Sequence, residues 1–504
     1  MPFPISGTKA ENHLKDLMIS EEKHAKKSKP VVYGFSNFEE FLSSFTKHTN
    51  DPEVLYLVDA VFHLLLPRET GDEKRFKGGL VFWAVWVLLH LVSRLLCRRE
   101  PENQCEVKSA AFGFRFLTTP AHHDSLAPIF DQIQQEHALV YGHAREDIPQ
   151  SQRARPSGLA QGLAVLPPLV SLGILCASLR MTRKILCILS RIQNLEKNST
   201  PSDFSARLAE IVFRQQIELA VLNRAPCPHQ AIFLTYELIP ESKASVLWAR
   251  QAGARVIHVM HGQRLPTYQI TMATDLVLFS KVEENWFRQR VDSEVNIWTI
   301  GHPRLEMIRH QVGKPLKWDS KRLPRIAFFS QPSEGGYSRE LRLSDWAILT
   351  GLRGQAEVRF RLHPRECREV AKSDLERLGA NFVQLSDAGL KEDLEWCDAV
   401  TSSWSTVSME AAACGRGVFW TCSTPEKYEA SQELRDHGIG ALIRSSDEWE
   451  QYLTDWSRGS WSAPVVLPET SLRKLGMIGD SQTPWTERLG IGTPTIKTTV
   501  SHDA

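Results

Sequence analysis

The chain has 504 residues, a formal net charge of +1, 42% hydrophobic and 24% charged residues. That near-neutral balance gives no polyanion-binding signature, so nucleic acid is not an expected partner. The apolar content is that of a folded protein too long for a single core, which predicts two domains plus additions. Nine cysteines with no CxxC pair read as reduced core thiols, and the first twenty residues have no apolar signal core, so a cytoplasmic protein is expected.

Residues 1–105 read as an N-terminal extension in which a polar start leads to an apolar stretch at 78–93. That stretch is sixteen residues without a formal charge, followed by Arg94, Arg98 and Arg99. A second stretch, 162–179, has eighteen, contains Pro167-Pro168 and precedes Arg180, Arg183 and Lys184. A spanning helix needs roughly twenty apolar residues, and His90 and the double proline weaken that reading. The first expectation is two buried helices. The second is peripheral attachment to the inner face of a membrane, apolar side down and basic residues at the lipid phosphates.

An α/β rhythm begins near residue 110. Strand periodicity at 112–117 is followed by a loop at 118–124, a helix at 125–136 and a strand at 138–141, which is a β-α-β opening. After the second apolar stretch come a helix at 204–221, a strand at 231–234, a helix at 242–252 and strands at 256–259 and 276–279. A polar, proline-flanked run at 314–323 reads as a linker. A second α/β series then has strands near Ile326, Phe360, Phe382, Val400 and Phe419. The division expected is a first Rossmann-like domain at 106–312, a second at 313–460 and a tail at 461–504. In such doubly wound sheets ligands bind beyond the carboxyl ends of the strands.

The chemistry-bearing residues fall at those ends. His261 follows the strand 256–259 directly, and Glu237 follows the strand ending at Leu234. His122 and His123 lie in the first strand-to-helix connection, where His122 could touch an acceptor; no third ligand at useful spacing supports a metal there. In the second domain Ser330 and Gln331 end one strand and open a small-residue loop at 333–336. Arg361 and His363 end another, which Pro364 stops. A third runs into Ser402, Ser403 and Thr406 before a helix at 407–414, which places hydroxyls and helix N–H groups before an anion. Each position also has a structural reading. A strand-end histidine can be packing, Ser402-Ser403 can be a helix N-cap, Glu410 can pair on the helix surface, and Gly301-His302-Pro303-Arg304 reads as a turn closing the first domain.

The order His261-Gly262, Gly301-His302-Pro303-Arg304, Ser330-Gln331-Pro332, His363-Pro364 and Ser402-Ser403 before Glu410-Ala411-Ala412-Ala413-Cys414-Gly415 resembles nucleotide-sugar transferases of the GT-B type. The resemblance spans about residues 108–460. Within that class it is similar to bacterial sialyltransferases and capsule Kdo-transferases and to the CDP-glycerol polymerases of teichoic acid synthesis. It implies an α/β fold of two doubly wound domains facing a cleft. It also implies that His363-Pro364 and Ser402-Ser403 hold the donor phosphate and that His261-Gly262 supplies the base. The acidic-acidic-glycine motif of the sialyltransferases has no clear copy here.

On that basis the expected activity is metal-independent inverting transfer of a sugar, such as sialic acid or Kdo from a CMP-sugar, to a surface polysaccharide or lipid-linked glycan. The partners are then a nucleotide-activated sugar donor and a glycan acceptor, with no cofactor. His261 would be the base; Arg361, His363, Ser402, Ser403, Thr406, Ser330 and Gln331 would meet the nucleotide phosphate. Glu410 or Asp387 would receive the ribose hydroxyls, and His122 and Glu237 would face the acceptor. No Asp-x-Asp metal motif occurs. Three alternatives stay open at this level: a CDP-glycerol-type glycerophosphotransferase, a UDP-sugar 2-epimerase and a non-catalytic polysaccharide-export scaffold.

Overall fold

The structure is a computed structural model. It describes residues 38–65, helical positions 84, 87 and 88, and residues 110–117, 120–133, 137–142, 166–192, 204–262, 266–313, 317–332, 339–403, 405–421, 429–462, 464–480 and 482–491. Most of the 78–93 stretch and the loop at 333–336 lie outside the described residues.

Two six-stranded parallel sheets carry the fold. The first comprises β1 (Phe112–Arg115), β2 (Ala138–Tyr141), β3 (Ala231–Leu234), β4 (Arg255–Val259), β5 (Asp275–Val277) and β6 (Asn296–Trp298), in the order β2-β1-β3-β4-β5-β6. The second comprises β7 (Arg325–Phe329), β8 (Glu357–Arg361), β9 (Gln384–Leu385), β10 (Ala399–Ser402), β11 (Gly417–Trp420) and β12 (Ala441–Leu442), in the order β12-β11-β10-β7-β8-β9. The expected pair of doubly wound domains is thus present, with an N-terminal helical addition whose described helices are Phe38–Thr46, Pro52–Leu55 and Val58–Leu65. β1 to β3 are buried along their whole length, as parallel strands covered on both faces must be. β2 and β3 are accordingly apolar throughout, while Arg115 at the end of β1 is buried against Glu218 at 2.9 Å.

Differences from the sequence reading have local causes. The loop at 118–124 is largely the first turn of the helix Pro120–Gln132, because Pro120 is pre-set for a first helical turn. The same rule starts the helices Pro240–Gln251 and Pro303–Val312. β6 and β12 were not expected; three and two residues long, they have too few positions to show a period. Two of the thiols, Cys397 and Cys414, are buried as expected. Cys176, Cys187 and Cys367 are exposed, because they fall on outer helix faces or in a turn.

The tail stays with the second domain only at its start, where Trp461 and Val465 enter that core, and then returns to the first. Trp485, Leu489 and Ile491 pack in the core beneath β1 and β3, and the Trp485 N–H donates to Gln132 Oε1. Backbone bonds from Gly301 N–H to Gly476 O and from His302 N–H to Met477 O tie this return to the GHPR turn. Gly301 has φ +101°, and a Cβ there would lie 2.5 Å from Gly479 N, so only glycine fits beneath the returning chain.

The two domains meet through the helix Pro303–Val312, which packs on the helix Val407–Ala413. Arg309 donates to Ala413 O at 3.0 Å, and Arg304 forms an ion pair with the wholly buried Glu410 at 2.5 Å.

Candidate active site

Both sheets reverse strand order at one point, and the crevice beyond the carboxyl ends there is where such folds bind ligands. In the first sheet that point lies between β1 and β3, in the second between β7 and β10. The connections leaving β1 and β3 carry His122 and the segment from Thr235 to Ile239. Those leaving β7 and β10 carry Ser330, Gln331 and the segment from Ser403 to Thr406.

On the first domain, Thr235 organises a cluster of rings. Its carbonyl oxygen lies 2.8 Å from His261 Nδ1 and 3.1 Å from His258 Nε2, and its hydroxyl 2.9 Å from His122 Nδ1. A carbonyl only accepts, so neutral His261 carries its proton on Nδ1 and leaves Nε2 with a lone pair. The His122 ring lies 3.8 Å from that of His261, and Tyr236 and Tyr268 approach edge-on at 5.2 and 6.2 Å. Burial, then the neighbouring His122, hold His261 well below the ordinary imidazole range. Burial holds His122 at about 3 and His258 at about 4. The Arg304 guanidinium adds to the effect on His122 and His261. His261 is therefore a neutral imidazole with a fixed tautomer at neutral pH, which is the form a general base requires.

Glu237 is not presented to an acceptor. It is buried, and burial lifts it to about 7 against the pull of nearby Lys243, Thr271 and Met272. Lys243 in turn is closed off, 3.0 Å from Asp59 and donating to Tyr56 O at 2.6 Å, so this group joins the N-terminal helices to the loop after β3.

On the second domain, His363 to Glu366 form a tight turn in which Glu366 N–H donates to His363 O at 2.9 Å. Glu366 braces it, accepting from His363 N–H at 2.7 Å and Ser330 Oγ at 2.8 Å, with Arg342 at 3.3 Å. The Arg365 N–H lies 3.3 Å from His363 Nδ1 and donates to it, which puts the ring proton on Nε2 and makes that atom a donor. Burial and the Arg365 charge lower His363 to about 4, so the ring is neutral.

The hydroxyl segment differs from the sequence reading. Ser402 Oγ bonds Ser408 Oγ at 2.8 Å and accepts from Ser405 N–H at 3.2 Å; Ser405 Oγ accepts from Val407 N–H at 3.3 Å. The first N–H groups of this seven-residue helix are thus satisfied internally, by Ser405 Oγ and by the carbonyls of Ser405 and Thr406, and Ser402 braces the turn that leads into it. Ser403 is buried and donates to Asp345 at 2.5 Å. Arg361 turns away to Asp393 at 3.0 Å. Asp387 is 81% exposed and paired with Arg368, outside the cluster. Glu410 is enclosed by its pairing with Arg304 rather than open to a diol.

The two sides face each other. A Cβ on Gly262 would lie 3.3 Å from Thr406 Oγ1, so the turn after His261 abuts the hydroxyl segment of the other domain. Arg365 is close enough to Tyr236 for its charge to oppose the rise of that phenol to about 12, which burial causes. His261, His122, Thr406 and His363 are brought to this cleft, and Gln331 follows the carboxyl end of β7. Tyr236, Arg365 and Glu366 belong with them and were not singled out from sequence, and Arg304, read there as part of a closing turn, joins them. Arg365-Glu366 directly after a strand-ending His363-Pro364 was the available signal, since two charges where a strand stops suggest a built turn. Among the described residues no group of three or more His, Cys, Asp or Glu could hold a metal ion.

No protein-family model matches the chain, and no curated protein matches it in sequence. It is similar in structure to a putative UDP-N-acetylglucosamine 2-epimerase from Listeria monocytogenes, with 14% identity over 76% of this chain and 95% of that one and a TM-score of 0.43. It is also similar to the wall teichoic acid polymerase TagF, with 12% identity over 83% and 98% and a TM-score of 0.40. A third such structure is the UDP-GlcNAc 2-epimerase from Neisseria meningitidis bound to UDP-GlcNAc, with 12% identity over 72% and 97% and a TM-score of 0.40.

Proposed function

We propose that the protein is an inverting glycosyltransferase that uses a nucleotide-activated sugar, a CMP-sugar such as that of sialic acid or Kdo, and an acceptor hydroxyl on a surface polysaccharide or glycolipid. The observation that carries this reading is the opposition of a neutral, tautomer-fixed His261 to N–H and O–H donors on the other domain. His261 Nε2 takes the proton of the acceptor hydroxyl as its oxygen bonds to the anomeric carbon. The bond from that carbon to the phosphate oxygen breaks, and the nucleotide leaves with the electron pair. Its growing charge is met by the Nε2–H of His363, by Arg365 and by the Thr406 hydroxyl. The buried Arg304 keeps a positive charge beside His261, which lowers the affinity of that ring for a proton in the resting state.

The test is a thermal-shift comparison of CMP, CDP, UDP and GDP on wild type and His363→Ala, followed by transfer with the activated sugar of the nucleotide that binds. Saturation at a hundred times the dissociation constant stabilises by about 2.7 kcal/mol. A CMP shift lost in His363→Ala, with glycosidic product, supports the reading. A phosphodiester product from a CDP-alcohol moves the same residues to attack on phosphorus, and no shift with any nucleotide overturns the assignment.

A further inference from the structure

The helix Pro168–Leu189 has its polarity inverted along part of its length. It buries Ser171, Ser178 and Thr182 with Leu175 and Ile185, the inward face on which it packs against the helix Phe204–Leu222. Outward it presents Leu169 at 73% exposure and Val170 at 47%, then Gly173, Cys176 and Ala177. Leu88, 43% exposed, follows Val87, which packs in the same cluster as Leu166 and Leu175. A soluble amphipathic helix places these residue types the other way round. The outward stripe then changes character. From Arg180 it continues as Arg183, both exposed, while Lys184 beside them is ion-paired with Asp51, so one face is apolar over its first two turns and basic over the next.

We infer that this face is a docking surface for an anionic lipid bilayer, entered obliquely with the Pro168 end deepest. The apolar part, from Leu169 to Ala177, is about 12 Å long at 1.5 Å per residue, close to the roughly 5–10 Å depth reached by interfacial helices. Arg180 and Arg183 would lie at the level of the lipid phosphates with their stems along the acyl boundary. At the deep end Pro168 has no N–H to strand, and Ser171 N–H already bonds Pro167 O at 3.0 Å. No helix among the described residues is long and apolar enough to cross a membrane, so attachment at this face lies on the bilayer rather than through it. Of the two expectations for the 162–179 stretch, wholly buried helix or lipid contact, the exposed Leu169-Val170 edge favours contact. The charge pattern selects an anionic lipid surface over an apolar protein partner.

The test is vesicle co-sedimentation of the full chain with neutral phosphatidylcholine vesicles and with vesicles containing a quarter phosphatidylglycerol. Wild type, Leu169→Asp/Val170→Asp and Arg180→Glu/Arg183→Glu are compared, with size-exclusion chromatography alongside. These side chains are exposed, and the circular dichroism and thermal midpoint of each variant report its fold. The expected result is binding to anionic vesicles that falls at least tenfold in the aspartate pair, with the glutamate pair losing the anionic preference. Three outcomes overturn the proposal. These are no binding by wild type, anionic binding unchanged in the aspartate pair, and a dimer that the aspartate pair dissociates without any lipid binding, which assigns the face to a second copy.

Discussion

The carboxyl edges of the two sheets are built on opposite principles. The first presents neutral rings: His122, His258 and His261 held by the Thr235 carbonyl and hydroxyl, with Tyr236 and Tyr268 packed edge to face on His261. The second presents charged and hydroxyl groups engaged in separate sets, Glu366 with Ser330 and Arg342, Ser403 with Asp345, and Ser402 with Ser408. Burial on the first side drives imidazole pKa values down and so keeps the rings neutral, with the Nε2 lone pair of His261 unprotonated. The Glu366 set on the second side fixes the His363 turn and prepares N–H donors. A cleft with an acceptor on one wall and donors on the other suits the removal of a proton from one reactant while negative charge grows on another.

The largest expected effect tests that division directly. His261→Ala should lower turnover by about 10³-fold, within the range for a general base, while nucleotide affinity measured by calorimetry stays unchanged; a loss under tenfold would break the comparison. Next in size is the link between the walls. Arg304→Met strands Glu410 in the interior and should cost about 3–5 kcal/mol in urea unfolding. Adding Glu410→Gln should recover much of it, since the buried charge is then gone. On the donor wall His363→Ala should weaken nucleotide binding by about 1.5–3 kcal/mol, the worth of a hydrogen bond to a charged group, with a smaller effect on turnover at saturation.

Acid should act mainly through the first wall. His122 at about 3, His258 at about 4 and His302 at about 3 lie below the ordinary imidazole value, as does His363 at about 4. The unfolded chain thus binds these protons first, and stability present above roughly pH 6.5 is lost as the pH falls toward 4. Glu237, raised to about 7, acts in the opposite sense, weakening the fold as pH rises from roughly 4.5 to 7. Glu410, also raised by burial, adds to that sense, but with His229 and His261 the lowered imidazoles outnumber the two raised carboxylates, so the midpoint of thermal unfolding should be lower at pH 5 than at pH 7. The smallest effect sharpens the boundary of the site: Asp387→Asn, at an exposed surface pair, should change stability by less than about 0.5 kcal/mol and leave nucleotide affinity as it was.

Chain order alone determined most of the scaffold. Continuous apolar runs such as Ala231–Leu234 and alternating ones such as Glu357–Arg361 mark strands because burial on one or both faces imposes those periods. Placing His261 and His363 at strand ends followed from the same logic, since Pro364 and the Gly262 turn stop their strands. The returning tail was not legible, because nothing in residues 464–491 names the core that Trp485 and Leu489 enter.

Only tertiary structure decided what each polar side chain is committed to. Arg361, Ser403, Asp387 and Glu410 look as available in the sequence as His363 does. Yet Asp393, Asp345, Arg368 and Arg304 have engaged them, and the last lies more than a hundred residues away in the other domain. Sequence fixes which chemical groups stand near a strand end through local periodicity and turn residues. Which of them keeps a lone pair or a proton for a substrate depends on partners brought in by long-range packing, and local pattern carries no record of those.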